Sequence, residues 1–278
     1  MYECVPVPGC LGPVGHPLPL APIPVAPIPV AGPQAVLWDM DGTLVDSEKL
    51  WDVSLGELAC ELGGELSAAT REAMIGSNMA DTLELMFVEV RRAPEPAALG
   101  RAHRWLADRT RELFESGLPW RPGAADALRV VRAAGLPTAL VTSTHRELTD
   151  VALRSIGAHH FDVTVCGDEV ARTKPAPDPY LRAAELLGVD PVECVAVEDS
   201  PTGTAAAVAA GCTVLVVPCE VPVQPGERRV LRGSLVGVDI DLLGALLTAA
   251  QAPAADRLVA SRGAGGGGSV PGCQDCVP

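Results

Sequence analysis

Between Ala35 and Val217 short, unbroken apolar runs alternate with helix-patterned segments, several of them closed by a glycine. The runs are Ala35–Trp38, Thr138–Thr142, Val163–Cys166, Cys194–Glu198 and Thr213–Val217. The helical segments between them include Ala124–Ala134 before Gly135, Glu147–Ile156 before Gly157, Pro179–Leu187 before Gly188 and Thr202–Ala210 before Gly211. A strand that is apolar at every position is buried on both faces. Strands of that kind, separated by helices, form a parallel sheet covered on both sides. The pattern therefore predicts an α/β protein: a Rossmann-like three-layer core around a parallel sheet. The alternation is broken once. From Leu50 to Leu118 the apolar residues follow a helical period, as in Leu50-Trp51…Leu55…Leu58-Ala59…Leu62, with no strand among them. This stretch reads as an inserted all-α domain, dividing the core into residues 35–49 and 119–260.

The ends of the chain differ from its middle. Residues 1–34 are proline-rich and contain a direct repeat, Ala21-Pro22-Ile23-Pro24-Val25 followed by Ala26-Pro27-Ile28-Pro29-Val30. Proline at this density removes backbone donors and favours extended chain, so a disordered extension is expected, with a polyproline arm for a partner as the rival reading. Residues 261–278 are glycine-rich and read as a disordered tail. The tail's Cys273-Gln274-Asp275-Cys276 lacks the second ligand pair that a zinc site needs. The nine cysteines are otherwise scattered, as expected of reduced thiols in a cytoplasmic protein. No basic residue precedes Lys49, so no secretory signal is expected, and no apolar run is long enough to span a bilayer. A net charge of −14 argues against nucleic acid and against an anionic membrane as partner. It leaves room for a small phosphorylated metabolite, because a bound cation and one lysine can reverse the field inside a pocket.

The polar residues that interrupt this pattern gather at one place in the expected fold. An open parallel sheet binds ligands at the carboxyl ends of its strands. Asp39-Met40-Asp41-Gly42-Thr43 follows the first run, Thr142-Ser143-Thr144 the second, Lys174 the third and Glu198-Asp199-Ser200 the fourth. In extended chain Asp39 and Asp41 point to the same side. Two carboxylates that close repel unless a cation or proton lies between them, which suggests a metal site or an acid–base couple. Each element has a plainer reading: Asp41-Gly42 as a solvated turn, Thr142 and Asp199 as helix caps, Lys174 as a loop charge. Their convergence on one edge of the sheet favours function.

In order and spacing the four segments resemble the motifs of the haloacid dehalogenase superfamily: Asp39-Met40-Asp41-Gly42-Thr43, then Thr142, then Lys174, then Glu198-Asp199. The stretches Lys174-Pro175-Ala176-Pro177-Asp178-Pro179-Tyr180 and Val197-Glu198-Asp199-Ser200 are similar to the branch of phosphoglycolate phosphatases and β-phosphoglucomutases, which carry a small helical cap (type C1) after the first motif. The resemblance implies Mg²⁺ held by Asp39, Asp199 and the Asp41 carbonyl, with Glu198 as a further ligand or the holder of a metal-bound water. It implies Asp39 as nucleophile forming an aspartyl-phosphate, Asp41 as general acid and base, and Lys174 as the balancing charge. The hydroxyls of Thr142 and Ser143, with the Met40 and Asp41 amides, would hold phosphate oxygens. Asp41 argues against a dehalogenase, which lacks that acid. Lys49, at the edge of the insert, is poorly placed for a Schiff base of the phosphonatase kind.

In such a branch the loop Met74-Ile75-Gly76-Ser77-Asn78 would face the site, making Gly76, Ser77 and Asn78 candidate substrate contacts. Sugar-phosphate mutases of the family often carry an arginine just after this glycine. None occurs here before Asp81, which favours hydrolysis over a β-phosphoglucomutase-like isomerisation. The expectation is a Mg²⁺-dependent phosphatase of a small phosphomonoester. A catalytically idle phosphate-binding scaffold is the rival from another class.

Overall fold

The computed structural model of the chain describes residues 32–251. The proline-rich arm up to residue 31, and the glycine-rich tail with Cys273 and Cys276, lie outside the described residues. Strands β1 (Ala35–Trp38), β2 (Thr138–Val141), β3 (Val163–Val165), β4 (Cys194–Glu198), β5 (Thr213–Val216) and β6 (Arg229–Leu231) form one sheet in the order β3-β2-β1-β4-β5-β6. All five pairings are parallel. Strand order reverses direction between β1 and β4, and the crevice at such a switch point is where open sheets take their ligands. Trp38 pairs with Val197, and the Asp39 N–H donates to the Val197 carbonyl at 3.0 Å. That register sets Asp39 beside Glu198.

Every residue of β1, β2, β4 and β5 is buried. Alternate side chains feed two apolar layers, as the pleat requires. On one face Val36, Trp38, Leu140, Val195 and Val197 meet α5 (Ala124–Ala133), α6 (Arg146–Ile156) and α9 (Ile240–Gln251) through Leu128, Val131, Ala152, Ile156, Leu243 and Leu247. On the other Leu37, Ala139, Val141, Ala196 and Val214 meet α7 (Asp178–Leu187) and α8 (Pro201–Ala209) through Tyr180, Ala183, Ala206 and Ala207. The expected three layers are present. The sequence pattern did not indicate β6 or α9. β6 is a short edge strand carrying Arg229 and only partly buried, so it lacks the apolar run that marks the inner strands.

The break in the alternation is filled by α1 (Glu48–Glu61), α2 (Ala68–Met74), α3 (Met79–Glu89) and α4 (Pro96–Glu115). The first of these begins at Glu48, ahead of Leu50. Ser67 caps α2 by accepting from the Thr70 N–H, and Asn78 caps α3 by accepting from the Asp81 N–H. The four helices share an apolar cluster of their own, including Leu55, Leu58, Met74, Leu83, Met86, Phe87 and Leu106, with Leu148 of α6 joined to it. Ion pairs Arg111–Glu147 and Arg154–Glu115 also link α4 to α6. Among the described residues no helix is long and apolar enough to cross a membrane.

Candidate active site

The carboxyl ends of β1, β2 and β4 and the long loop after β3 meet beneath the helical insert. At the centre is Lys174, 4% exposed. Its Nζ donates to Asp39 Oδ1 at 2.6 Å, to Glu198 Oε1 at 2.7 Å and to the Val141 carbonyl at 2.9 Å, so the ammonium's three donors are all placed. Tyr180, fully buried on α7, donates its hydroxyl to the same Glu198 oxygen at 2.6 Å. The other Glu198 oxygen accepts from the Asp199 N–H and the Ser200 hydroxyl. Asp199 accepts from the Thr43 hydroxyl at 3.2 Å.

Asp39, Glu198 and Asp199 each turn a carboxylate oxygen to within 4.8 Å of the others, all buried. One lysine faces three carboxylates. Burial raises the Asp39 pKa to about 7, Lys174 opposing and Glu198 adding to the rise. Asp199 is raised well above the ordinary range by burial and by the charges of Asp39 and Glu198. Burial alone would lower Lys174, yet the Asp39 and Glu198 charges hold it above its usual value. A surplus of buried negative charge offered through oxygen atoms is the donor set that suits a hard divalent cation. The arrangement also needs two glycines. Gly42 has φ of 78°, and a Cβ there would overlap the Asp199 carboxylate; a Cβ on Gly203 would overlap that of Glu198.

Asp41 does face the same pocket as Asp39. Its carboxylate accepts from Ser47 Oγ at 2.7 Å, Trp51 Nε1 at 3.2 Å, Thr142 Oγ1 at 3.3 Å and Thr144 Oγ1 at 2.8 Å. Met40 buries its side chain in the core, leaving only its backbone available to the site. Thr142, Ser143, Gly76 and Ser77 line the pocket. Gly76, at φ of 73°, sits against Ser200, and its carbonyl accepts from Ser143 Oγ at 3.4 Å, so the insert's loop touches the core here. Ser77 turns its hydroxyl to Met74 O and Thr82 Oγ1. Asn78 stands outside this lining, where it donates to Thr173 Oγ1 at 2.8 Å.

The sequence pattern did not single out Ser47 or Trp51, which hold Asp41, or Tyr180, which holds Glu198, and it named Thr144 only within Thr142-Ser143-Thr144. Nor did it single out Glu48 and Arg71, which line the pocket from α1 and α2. Arg71 Nη2 donates to Glu48 Oε2 at 2.5 Å, and its Nε pairs with Asp52. Tyr180 stands in the Lys174–Tyr180 segment, where it could have been noticed. Glu48 and Arg71 are joined by helix packing alone.

A parallel sheet with its acidic residues and buried lysine at the switch point, under a helical insert, defines an α/β protein whose ligand site carries a surplus of negative charge. Comparison with known proteins narrows the class: residues 33–211 match the haloacid dehalogenase-like hydrolase family, and the chain belongs to it. It is 34% identical over 200 residues to hexitol phosphatase A of Escherichia coli, covering 67% of this chain and 84% of that protein. It is 31% identical over 187 residues to a phosphoglycolate phosphatase of Chromobacterium violaceum, covering 66% and 84%. Among solved structures it resembles a mutant of CbbY from Rhodobacter sphaeroides in complex with xylulose-(1,5)bisphosphate, with TM-score 0.65 and 30% identity over 74% of this chain and 96% of that one.

Proposed function

We propose that this enzyme is a Mg²⁺-dependent phosphatase that hydrolyses a small phosphomonoester through an aspartyl-phosphate on Asp39. The observation that carries the reading is the buried Asp39–Lys174–Glu198–Asp199 cluster at the switch point, with Asp41 beside it. Asp39 and Asp199, with the Asp41 carbonyl, would hold Mg²⁺. When bound, the ion supplies the positive charge that lets an anionic nucleophile approach an anionic phosphate. Glu198, whose oxygens already accept from Lys174, Tyr180, Ser200 and the Asp199 amide, completes the acidic cluster from below.

The chain's own residues divide the remaining work. An Asp39 oxygen forms a bond to phosphorus as the ester oxygen leaves. The departing alcohol takes a proton from Asp41. Water then attacks the phosphorus of the aspartyl-phosphate, gives its proton back to Asp41, and frees Asp39 and inorganic phosphate. Lys174 balances charge on Asp39 and on the transferring group throughout. Thr142, Ser143 and the Met40 and Asp41 amides hold the phosphate oxygens. The helical insert acts as a cap, with Gly76 and Ser77 facing the leaving group and bulk water excluded when the cap is closed. Asn78 anchors the cap loop to Thr173.

Phosphate release from p-nitrophenyl phosphate and from a panel of metabolite phosphates, with Mg²⁺ and with chelator, tests this reading. Release that depends on Mg²⁺ and disappears in Asp39→Asn is expected. An Asp39→Asn protein with full turnover refutes the nucleophile assignment.

A further inference from the structure

We infer that the helical insert carries, away from the active site, a binding site for a small aromatic carboxylate. The site is a groove of about 580 Å³ between α1, α3 and α4, within the size range of small-molecule pockets. It shares no lining residue with the active-site pocket. Leu58 of α1, Phe87 of α3 and Ala102 of α4 are buried beneath it, and the partly buried Trp105 of α4 stands beside them. The exposed Arg92 and Arg101 bring charge to this apolar surface. Ten residues line the groove, against about 20–30 a side in a stable protein interface. That extent suits a small molecule and not a second copy of the chain.

The two arginines decide the chemistry. Among the described residues neither guanidinium has a hydrogen-bond or ion-pair partner. By contrast Arg71, Arg109 and Arg111 of the same insert each hold two carboxylates. Backbone geometry, not a carboxylate, places Arg92: Arg91 at φ of 54° turns the chain after α3, and the Arg92 N–H closes that turn on the Phe87 carbonyl at 2.9 Å. Glu61 also lines the groove but pairs with neither arginine. Two cations and one carboxylate leave the lining positive on balance, on a chain of net charge −14. A ligand carboxylate offers the paired acceptor oxygens that a planar guanidinium fork takes, and no existing ion pair breaks to admit it. An aromatic ring covers the apolar floor and meets the Trp105 indole. A neutral ring leaves the arginines unmatched, and an anion without a ring leaves the floor in water, so charge and ring select together.

The experiment is calorimetric titration of the full chain with 1-naphthaleneacetate and with 1-naphthaleneacetamide, the same ring without the charge. The acetate is expected to bind with Kd of about 1 mM or tighter, as ordinary per-atom efficiencies give for a molecule of this size. The amide is expected to bind about tenfold more weakly. In Arg92→Gln/Arg101→Gln, the acetate is expected to fall to the affinity of the amide, while the amide is unmoved. Both side chains are exposed, so the double variant is expected to unfold at the wild-type Tm. Trp105→Leu is expected to weaken both ligands by about threefold or more, because it removes ring contact and keeps the charge. Acetate that binds no better than amide, or that the double variant leaves unmoved, overturns the inference. So does an absence of acetate binding at several millimolar. A chain that sediments as a dimer, and as a monomer in Arg92→Gln/Arg101→Gln, gives the groove to a second copy and overturns it as well.

Discussion

Removing a negative charge from the acidic cluster should make the metal-free protein more stable while it destroys activity. In Asp199→Asn the amide keeps an oxygen to accept from Thr43, so the change is close to a pure loss of charge. With the carboxylate oxygens within 4.8 Å of one another, each neighbour repels Asp199 by at least about 3.5 kcal/mol, taking an effective dielectric of roughly 20. Lys174 returns part of that through its attraction, and partial protonation of the cluster relieves more. A net gain of about 2 kcal/mol follows, which corresponds to a rise of about 4–8 °C in Tm for a domain of this size. The sign depends on pH. The Asp199 carboxyl has a folded-state pKa raised by burial and by Asp39 and Glu198. Wild-type stability from this group is therefore full below the unfolded value of 3.8 and is lost as pH rises through the folded value. The advantage of Asp199→Asn should widen as pH rises.

Metal reverses the ranking. A cation that binds only the folded wild type stabilises it by about 2.7 kcal/mol at a hundred times its dissociation constant, and the variant, lacking the ligand, gains little. The assay is thermal unfolding of both proteins in EDTA and in millimolar Mg²⁺, from pH 6 to pH 8. An Asp199→Asn protein that melts below the wild type in EDTA refutes the repulsion. Equal upward shifts of both proteins with Mg²⁺ refute the assignment of Asp199 as a ligand.

Lys174→Met should behave oppositely in EDTA: it strands the buried Asp39 and Glu198 carboxylates, at a cost of about 3–5 kcal/mol in urea denaturation. Gly42→Ala adds left-handed strain of about 1–2 kcal/mol and drives a methyl into Asp199. Its phosphate release is expected to fall at least about tenfold, since misplaced reacting groups are penalised steeply; activity within twofold of wild type would show that the turn can yield. Where the helical insert meets the core, His103 of α4 faces His145 before α6, ring centroids 5.4 Å apart. Burial, His145 and Arg104 lower the His103 pKa below 6.5. The stability it contributes is complete above pH 6.5 and is lost as pH falls toward the folded-state value. Wild-type Tm should therefore drop faster than that of His103→Phe between pH 7 and pH 5, and parallel curves would disprove the contact's role.

What was legible in the sequence is what a strand fixes. A strand apolar throughout belongs inside a parallel sheet, and a polar residue just past its end stands on one known edge. Asp39, Thr142 and Asp199 are thereby gathered into one place by the sequence alone, although Asp39 and Asp199 lie far apart along the chain; Lys174 reaches the same place on the long loop after β3. β6 escaped because this edge strand is three residues long, opens on an arginine and is only partly buried. The residues around Asp41 escaped for another reason. Ser47 and Trp51 reach it only because α1 starts where it does and turns that face inward. The same holds for Glu48 and Arg71, brought together by the packing of α1 on α2 with no periodic signal between them. On the reading proposed here, the reacting groups sit at or beyond strand ends, whose placement the sheet dictates, while Glu48 and Arg71 sit on helices that pack among themselves. Substitutions in α1–α3 can then move Glu48 or Arg71 without disturbing the register of β1 and β4.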